Sequence, residues 1–193
     1  MSQHILLLAG PTASGKSALG VALAAKEPCV IINADSMQVY RELPIITAQP
    51  SEEEKQQTPH QLYGVLPAAE PCSAGKWLQL AKEAIAATWK ENKIPLLVGG
   101  TGLYFKTLMH GIAQIPDIPS DMREAARARL EEIGNEAFHT ELAEKDPVSA
   151  DSLNKGDTQR LLRAWEVVEH TGTPLSEWQK APNKFAFELM EKQ

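Results

Sequence analysis

ILLLAGPTASGKS, residues Ile5 to Ser17, joins an apolar segment to a glycine-rich loop and the first turn of a helix. The apolar run Ile5 to Ala9 predicts a short, fully buried strand. The loop that follows is Gly10-Pro11-Thr12-Ala13-Ser14-Gly15-Lys16-Ser17. Its spacing, glycine, four residues, then Gly-Lys-Ser, is that of a phosphate-binding loop. Such a loop turns tightly enough for several backbone N–H groups to point at one anion. The helix starting near Ser17 adds the positive end of its dipole. Lys16 supplies a mobile cation, and the Ser17 hydroxyl is suited to magnesium. A turn without any ligand is the plain alternative; strand, loop and helix standing where the motif needs them argue against it. The loop, common to ATP- and other nucleotide-binding proteins, says that a phosphate binds, not which one.

Working outward, Ser17 to Lys26 predicts a helix with Leu19, Ala22 and Leu23 on its apolar face, closed by Pro28. Val30 to Ile32 reads as a second buried strand, delivering Asn33-Ala34-Asp35-Ser36 at its end. Strand, helix, strand begins a parallel sheet with right-handed crossovers. Ligands of such sheets bind beyond the carboxyl ends of the strands, so Asp35 is expected on the same edge as the loop. Prolines at 44, 50, 59, 67 and 71 exclude long helices between residues 41 and 72. Within that segment Glu52 to Glu54 reads as a solvated turn, and His60 as structural rather than a ligand. Ser73 caps a helix over about Ala74 to Glu91, whose Trp77 and Trp89 fall at core spacing rather than as base-stacking platforms. Pro95 to Val98 is a third buried strand, ending in Gly99-Gly100-Thr101-Gly102, where the backbone can approach a ligand closely.

Near residue 114 the composition changes. Pro116 and Pro119 mark a linker, and amphipathic helices follow over about 121–133, 136–144 and 157–171, with a short turn after Asp146-Pro147 and Gly172 as the last stop. Leu161, Leu162, Trp165 and Val168 form an inward face. Arg160 and Arg163 share another, free to meet one phosphate backbone or to pair with Asp157 or Glu166. The expected fold class is therefore α/β: a parallel-sheet core of the P-loop NTPase kind over 1–113, with a small all-helical domain, attached or inserted, over 114–193. The net charge of −6 resides in residues 114–193, while residues 1–113 are balanced. An acidic chain argues mildly against nonspecific nucleic-acid binding, without excluding a local basic groove. There is no span or signal pattern. Cys29 and Cys72 match no metal or redox spacing, so reduced thiols and a cytoplasmic location are expected.

Together GPTASGKS, NADSMQVYR, PHQLY, LLVGGTGLY, DP-x-x-A and GDTQRLLRAWEV-x-x-x-TG, in that order, resemble the tRNA dimethylallyltransferases. The resemblance implies transfer of the five-carbon group of dimethylallyl diphosphate to the exocyclic amine of an adenosine beside the tRNA anticodon. It implies that residues 10–17 hold the diphosphate, that Asp35 takes the amine proton, and that Thr101 lines the channel where donor and base meet. It further implies that Asp35, Ser36, Met37 and Gln38, with Thr101, Arg123 and the run Gln159-Arg160-Leu161-Leu162-Arg163, contact an anticodon stem-loop. Magnesium, held through Ser17, is the expected cofactor; no membrane is involved and a monomer is expected. The amine is a poor nucleophile, and a carboxylate that takes its proton is worth roughly 10²–10⁴-fold in rate. Backbone N–H groups, Lys16 and magnesium stabilise the departing diphosphate, and extrusion of the base from its stack is expected.

The match is not complete. Glu42, Ile46, Gln49 and Gln61 stand where the family usually has glycine, glycine, lysine and histidine, which is expected to weaken RNA contacts or reshape the loop after Asp35. Family members also run on past the point where residue 193 falls, with further core helices, so the sequence reads as C-terminally truncated and as weakly active or inactive alone. Three rival readings remain: an adenylate isopentenyltransferase acting on free nucleotide, against which the helical segment argues; a small-molecule kinase or nucleotide-regulated switch using Asp35 for magnesium; and a non-catalytic RNA-binding protein with a degenerate site.

Overall fold

The structure, a computed structural model, describes residues 4–180, so the last part of the segment 114–193 lies outside the described residues. These residues form two compact units that divide between Gly111 and Ile112.

The first unit alternates strand and helix: β1 (Leu6–Ala9), α1 (Lys16–Ala24), β2 (Cys29–Asn33), α2 (Glu52–Gln57), β3 (His60–Gln61), α3 (Ala74–Lys90), β4 (Ile94–Gly99) and α4 (Gly102–His110). The strands form one sheet in the order β1-β4-β2-β3, and every pairing is parallel. The α/β class read from the sequence is thus the fold observed. Because β4 returns between β1 and β2, Ala9 stands opposite Gly99 and Asn33 opposite Val98, and the three strand ends share one edge.

Burial follows from that order. Val30, Ile31, Ile32, Leu96 and Leu97 are buried on the two central strands. The strand after Met1 departs from its expected burial: β1 is an edge strand among the described residues, and Leu6 and Leu7 are 40% and 41% exposed. Its composition is that of a central strand, but pairing on one side only leaves it partly open. On α1 the inward face is set by Gly20, where a Cβ would lie 3.3 Å from Val98 Cγ2. The helix therefore sits close to the sheet through Gly20, Val21, Leu23 and Ala24, and Leu19, expected inward, is exposed.

The acidic run at 52–54 is not a turn but the first turn of α2. Ser51 Oγ accepts from the Glu54 N–H and the Glu54 carboxylate from the Ser51 N–H, a complete capping box. Three glutamates at a helix N-terminus are also favoured by its dipole. His60 is half-buried on β3, its Nδ1 2.7 Å from the Thr58 carbonyl and its ring edge-on to Tyr63, the structural role expected. Ser73 caps α3, accepting from the Lys76 N–H at 3.1 Å. Trp77 is fully buried, as its spacing requires, and stacks on Tyr104 with ring centroids 4.2 Å apart.

The second unit is helical: α5 (Ser120–Lys145), α6 (Pro147–Ser152), α7 (Thr158–Thr171) and α8 (Leu175–Lys180). α5 is interrupted at Gly134 (φ 75°, ψ 165°), where the sequence pattern also breaks. The expected turn after Asp146-Pro147 is instead the short helix α6, with Asp146 as its cap and Pro147 in the first turn, where no N–H is missed. Gly172 ends α7 in the left-handed region (φ 67°). Phe138, Leu142, Leu161, Ala164 and Trp165 form the core.

Asp146 organises this unit. It is fully buried and accepts from the Ser149 N–H (3.0 Å), the Ser176 N–H (3.1 Å) and the Ser176 hydroxyl (2.7 Å), tying α6 to α8. Burial pushes its carboxyl up, but the hydrogen bonds from Ser149 and Ser176 outweigh that and hold it below its ordinary value of 3.8. The folded unit therefore binds this proton less readily than the unfolded chain. The stabilisation is present above about pH 4 and is lost as pH falls through the lower folded value. Asp146→Asn is expected to cost about 2 kcal/mol at neutral pH and to flatten the acid limb of stability against pH. Thermal melts followed by circular dichroism check this; identical melts for parent and variant at pH 7 would contradict it.

Candidate active site

Three backbone segments meet at the shared edge of the sheet. Gly10 N–H donates to the Gly99 carbonyl (3.3 Å), Ala34 N–H to the Val98 carbonyl (2.8 Å), and Thr101 N–H to the Ala34 carbonyl (3.2 Å). Their approach depends on glycine. A Cβ on Gly99 would lie 2.1 Å from the carbonyl carbon of Ala34, a distance no side chain survives. One on Gly100 would be 3.2 Å from the Gly10 oxygen and 3.7 Å from Asp35 Oδ2. The glycine pair thus lies between the phosphate loop and Asp35.

The loop itself has the expected form. Ala13 (φ 62°) and Gly15 (φ 80°) take the left-handed conformation; at alanine this is strained backbone of the sort found at ligand cradles. Lys16 Nζ donates to the Pro11 carbonyl and to Ser14 Oγ, so its ammonium lies over the loop.

The turn bearing Asp35 is fixed by Asn33, which the sequence reading passed over. Its buried side chain donates to the carbonyls of Asp35 (3.0 Å) and Leu62 (3.1 Å) and accepts from the Asp35 N–H (2.8 Å). The Trp77 indole N–H donates to the Asn33 carbonyl at 2.9 Å. An Asn at the end of a buried strand has the donors and acceptor for such a turn, but Leu62 and Trp77, which complete its hydrogen bonds, lie far along the chain. Asp35 Oδ1 accepts from the Met37 N–H at 2.9 Å.

A cleft of about 740 Å³ opens beside these segments. It is lined by Thr12 to Ala18, by Asp35, Met37 and Gln38, by the loop residues Leu43, Ile46, Thr47 and Ala48, and by Val98 and Gly99. Lys16, Ser17 and Asp35 therefore share one space. Gly10 and Pro11 of the loop stand behind it, as do Ser36 and Thr101, where the Thr101 hydroxyl accepts from the Ser36 N–H at 2.9 Å. The hydroxyl oxygen of Thr101, expected on a channel wall, is engaged in holding the Asp35 turn. Gln38 is also engaged: its amide N–H groups donate to the Thr47 (2.7 Å) and Ala48 (3.0 Å) carbonyls. Ser17 and Asp35 give hydroxyl and carboxylate oxygens to the one cleft, a hard donor set suited to a divalent cation that keeps most of its water. Among the described residues no cluster of three or more His, Cys, Asp or Glu side chains has the form of a protein-built metal cage.

The remaining site residues lie in the helical unit. Arg123, Gln159, Arg160 and Arg163 are exposed, and Leu162 is half-buried. Leu161 is fully buried in the core, so its side chain is withdrawn from any RNA contact: a run of consecutive residues on a helix cannot all face outward. Arg160 pairs with Asp157 at 3.7 Å, an exposed pair of little strength. Arg127, absent from the sequence reading, joins Arg163 and Arg123: the charges of all three act on the buried Glu166 carboxyl. Burial pushes the Glu166 carboxyl up, and the three guanidinium groups pull it back. Arg127 was visible as the i+4 neighbour of Arg123, but only the packing of α5 against α7 brings Glu166 beneath both. By contrast Arg129 is held by Glu132 and Glu141 at 3.0 Å each.

No helix of the described residues is long and apolar enough to cross a membrane, and both cysteines are free thiols. The family model described as IPP transferase matches residues 38–191, and that described as isopentenyl transferase matches residues 3–63. A tRNA dimethylallyltransferase of Paramagnetospirillum magneticum is 50% identical over 97% of this chain and 59% of its own length. One of Granulibacter bethesdensis is 52% identical over 93% of this chain and 56% of its own. The chain thus spans less than two thirds of the curated relatives it matches. Among solved structures, a eukaryotic dimethylallyltransferase acting on tRNA superposes with a TM-score of 0.80 at 30% identity, covering 96% of this chain and 47% of that one. The full-length tRNA isopentenylpyrophosphate transferase of Bacillus halodurans gives 0.57 at 34% identity, covering 90% and 57%.

Gly99→Ala is expected to cost about 3 kcal/mol or more, since backbone rather than a mobile side chain must yield. Gly102→Ala, with nothing within 4 Å of its Cβ, is the matched control and is expected to be nearly neutral. Urea unfolding of the two variants compares them, and equal midpoints would show that the approach of Gly99 to Ala34 is not a constraint.

Proposed function

The chain belongs to the IPP transferase family, and from that premise we propose that it forms the catalytic and RNA-contacting part of a tRNA dimethylallyltransferase. The observation that carries this reading is the single cleft that Asp35 shares with Lys16 and Ser17 of the phosphate loop. The names of the relatives, all tRNA dimethylallyltransferases, support the same substrate pair.

In the proposed reaction the adenine amine attacks the first carbon of dimethylallyl diphosphate. A C–N bond forms, the C–O bond breaks, and the diphosphate leaves with the electron pair. The proton of the amine passes to the Asp35 carboxylate, which Asn33 and the Met37 N–H hold in place. The backbone N–H groups of residues 12–17 and the Lys16 ammonium receive the negative charge as it develops. Magnesium, with the Ser17 hydroxyl as its protein oxygen, would neutralise further charge on the diphosphate. Thr101 acts as a positioning residue through the Ser36 N–H rather than as part of the wall.

RNA binding is assigned to the arginines at 123, 127, 160 and 163, with Gln159 beside them. The guanidinium groups of Arg123, Arg127 and Arg163 all act on the one Glu166 carboxyl, and none of the three carries an ion pair within 4.0 Å among the described residues. The rival reading, transfer to a free nucleotide, gives that patch nothing to do. The site and the patch together favour a cytoplasmic enzyme working on tRNA.

Asp35→Asn in the full-length protein is expected to lower transfer to an anticodon stem-loop by about 10²-fold or more while leaving stem-loop binding within about twofold. Mass analysis of the RNA reads the first and filter binding the second; retained transfer would remove Asp35 as the base. Arg127→Gln and Arg163→Gln are each expected to reduce the slope of log affinity against log salt by about 0.7–0.9, with Arg129→Gln as the unaffected control. Slopes that do not separate Arg127 from Arg129 would place the RNA elsewhere.

A further inference from the structure

We propose that Ile46, with Leu43 and Met37, forms the apolar wall that takes the hydrocarbon tail of the diphosphate substrate, and that Ile46 sets the affinity for that tail. The inference rests on the function proposed above and deepens it by naming the surface that recognises the prenyl group.

Residues 43–49 form a tied loop, not a slack one. Thr47 donates both its N–H and its hydroxyl to the Leu43 carbonyl, Ala48 N–H donates to Ile45 and Gln49 N–H to Pro44. Gln38 holds the Thr47 and Ala48 carbonyls from one side, and the Gln49 amide donates to the Tyr40 carbonyl at 2.7 Å on the other. Ala48 takes a left-handed conformation (φ 52°) to close the turn. A loop so constrained presents its side chains in set directions. Two of them are isoleucines, Ile45 at 91% and Ile46 at 83% exposure.

Single exposed apolar residues need no explanation. Here, however, Ile46, Leu43 and the half-exposed Met37 line the same cleft as the anion-binding loop. Ile45, the more exposed neighbour, does not line it. The cleft of about 740 Å³ also far exceeds what a diphosphate needs. An ionic head seated on the backbone N–H groups and Lys16 leaves the rest of the space to its substituent. A cleft with an anion-binding loop and, among its other lining residues, the aliphatic Leu43 and Ile46 with Met37 fits an amphiphile, an anionic head joined to a short hydrocarbon. Tail burial against Ile46 removes apolar surface of both partners from water, so truncating it should be felt by the tail alone.

The test uses the full-length protein with two ligands, dimethylallyl diphosphate and inorganic pyrophosphate, followed by titration calorimetry with magnesium present. Ile46→Ala is expected to weaken dimethylallyl diphosphate about tenfold and to leave pyrophosphate unchanged; Ile45→Ala is expected to change neither. Equal weakening of both ligands would mean that Ile46 acts on the loop or the head group, and would overturn the proposal. So would an effect confined to the KM for the stem-loop, which would make Ile46 a contact for a base. If the parent protein does not prefer dimethylallyl diphosphate to pyrophosphate, the proposed function itself fails. If it does, and Ile46→Ala keeps that preference intact, only the present inference fails. Because Ile46 is exposed, the variant is expected to melt with the parent, which separates a lost contact from a lost fold.

Discussion

The contact between Gly99 and the backbone of Ala34 is the constraint on which the site depends. In the sheet order β1-β4-β2-β3 the last strand formed along the chain lies between the first two. Parallel pairing brings all three carboxyl ends to one edge, but pairing alone would leave the loops a strand's width apart. The turn after β4 has to pass between them. Glycine at 99 and 100 makes that turn thin enough for the phosphate loop to bond to it on one side and the Asp35 turn to lie against it on the other. The juxtaposition of anion cradle and carboxylate is thus a property of backbone packing, with side chains added to it.

Much of this was legible in the sequence because the signals are local. The phosphate loop, the caps at Ser73 and Gly172, the break near Gly134 and the buried β2 and β4 are written in runs of a few residues, and each stands where expected. What was misread depends on partners far along the chain. An apolar run cannot say whether its strand is central or, like β1, at an edge. The face of α1 was assigned by counting leucines, whereas close packing selected Gly20 because a helix without a Cβ there approaches the sheet nearest. The acidic run at 52–54 is a case of a local signal overlooked, since Ser51 and Glu54 spell a capping box. Leu161 was placed inward by its spacing, and the structure buries it; only the motif resemblance set it among RNA contacts with its exposed neighbours Gln159, Arg160 and Arg163.

Residues that depart from the family pattern are not idle in the fold. Glu42 accepts the Ala68 N–H at 2.8 Å, and Gln49 donates to the Tyr40 carbonyl. Gln61 lies on β3 opposite Ile32. Together with Gln38, Glu42 and Gln49 supply hydrogen bonds that close the segment after Asp35, where five prolines leave the backbone without regular partners. Gln38 was read as an RNA contact, and Glu42 and Gln49 as departures that reshape this loop; much of their hydrogen-bonding capacity goes to the protein's own backbone groups.

The same accounting bears on how an acidic chain holds an RNA. Net charge acts over distances that salt screens beyond about 10 Å, so the excess of carboxylates in the helical part matters less than what lies beside each arginine. Arg129 illustrates one outcome: two glutamates engage its fan of donors, and its charge is already answered. The group at 123, 127 and 163 illustrates the other. There one buried carboxylate feels the charges of three guanidinium groups, none of which is in an ion pair within 4.0 Å among the described residues. A single anion under several cations reduces their mutual repulsion and keeps them together, while their outward donors remain for phosphate oxygens. Had Glu166 been exposed, it would have competed for those donors at the surface. Burial takes the carboxylate out of that competition, which turns an acidic residue into a support for a basic face.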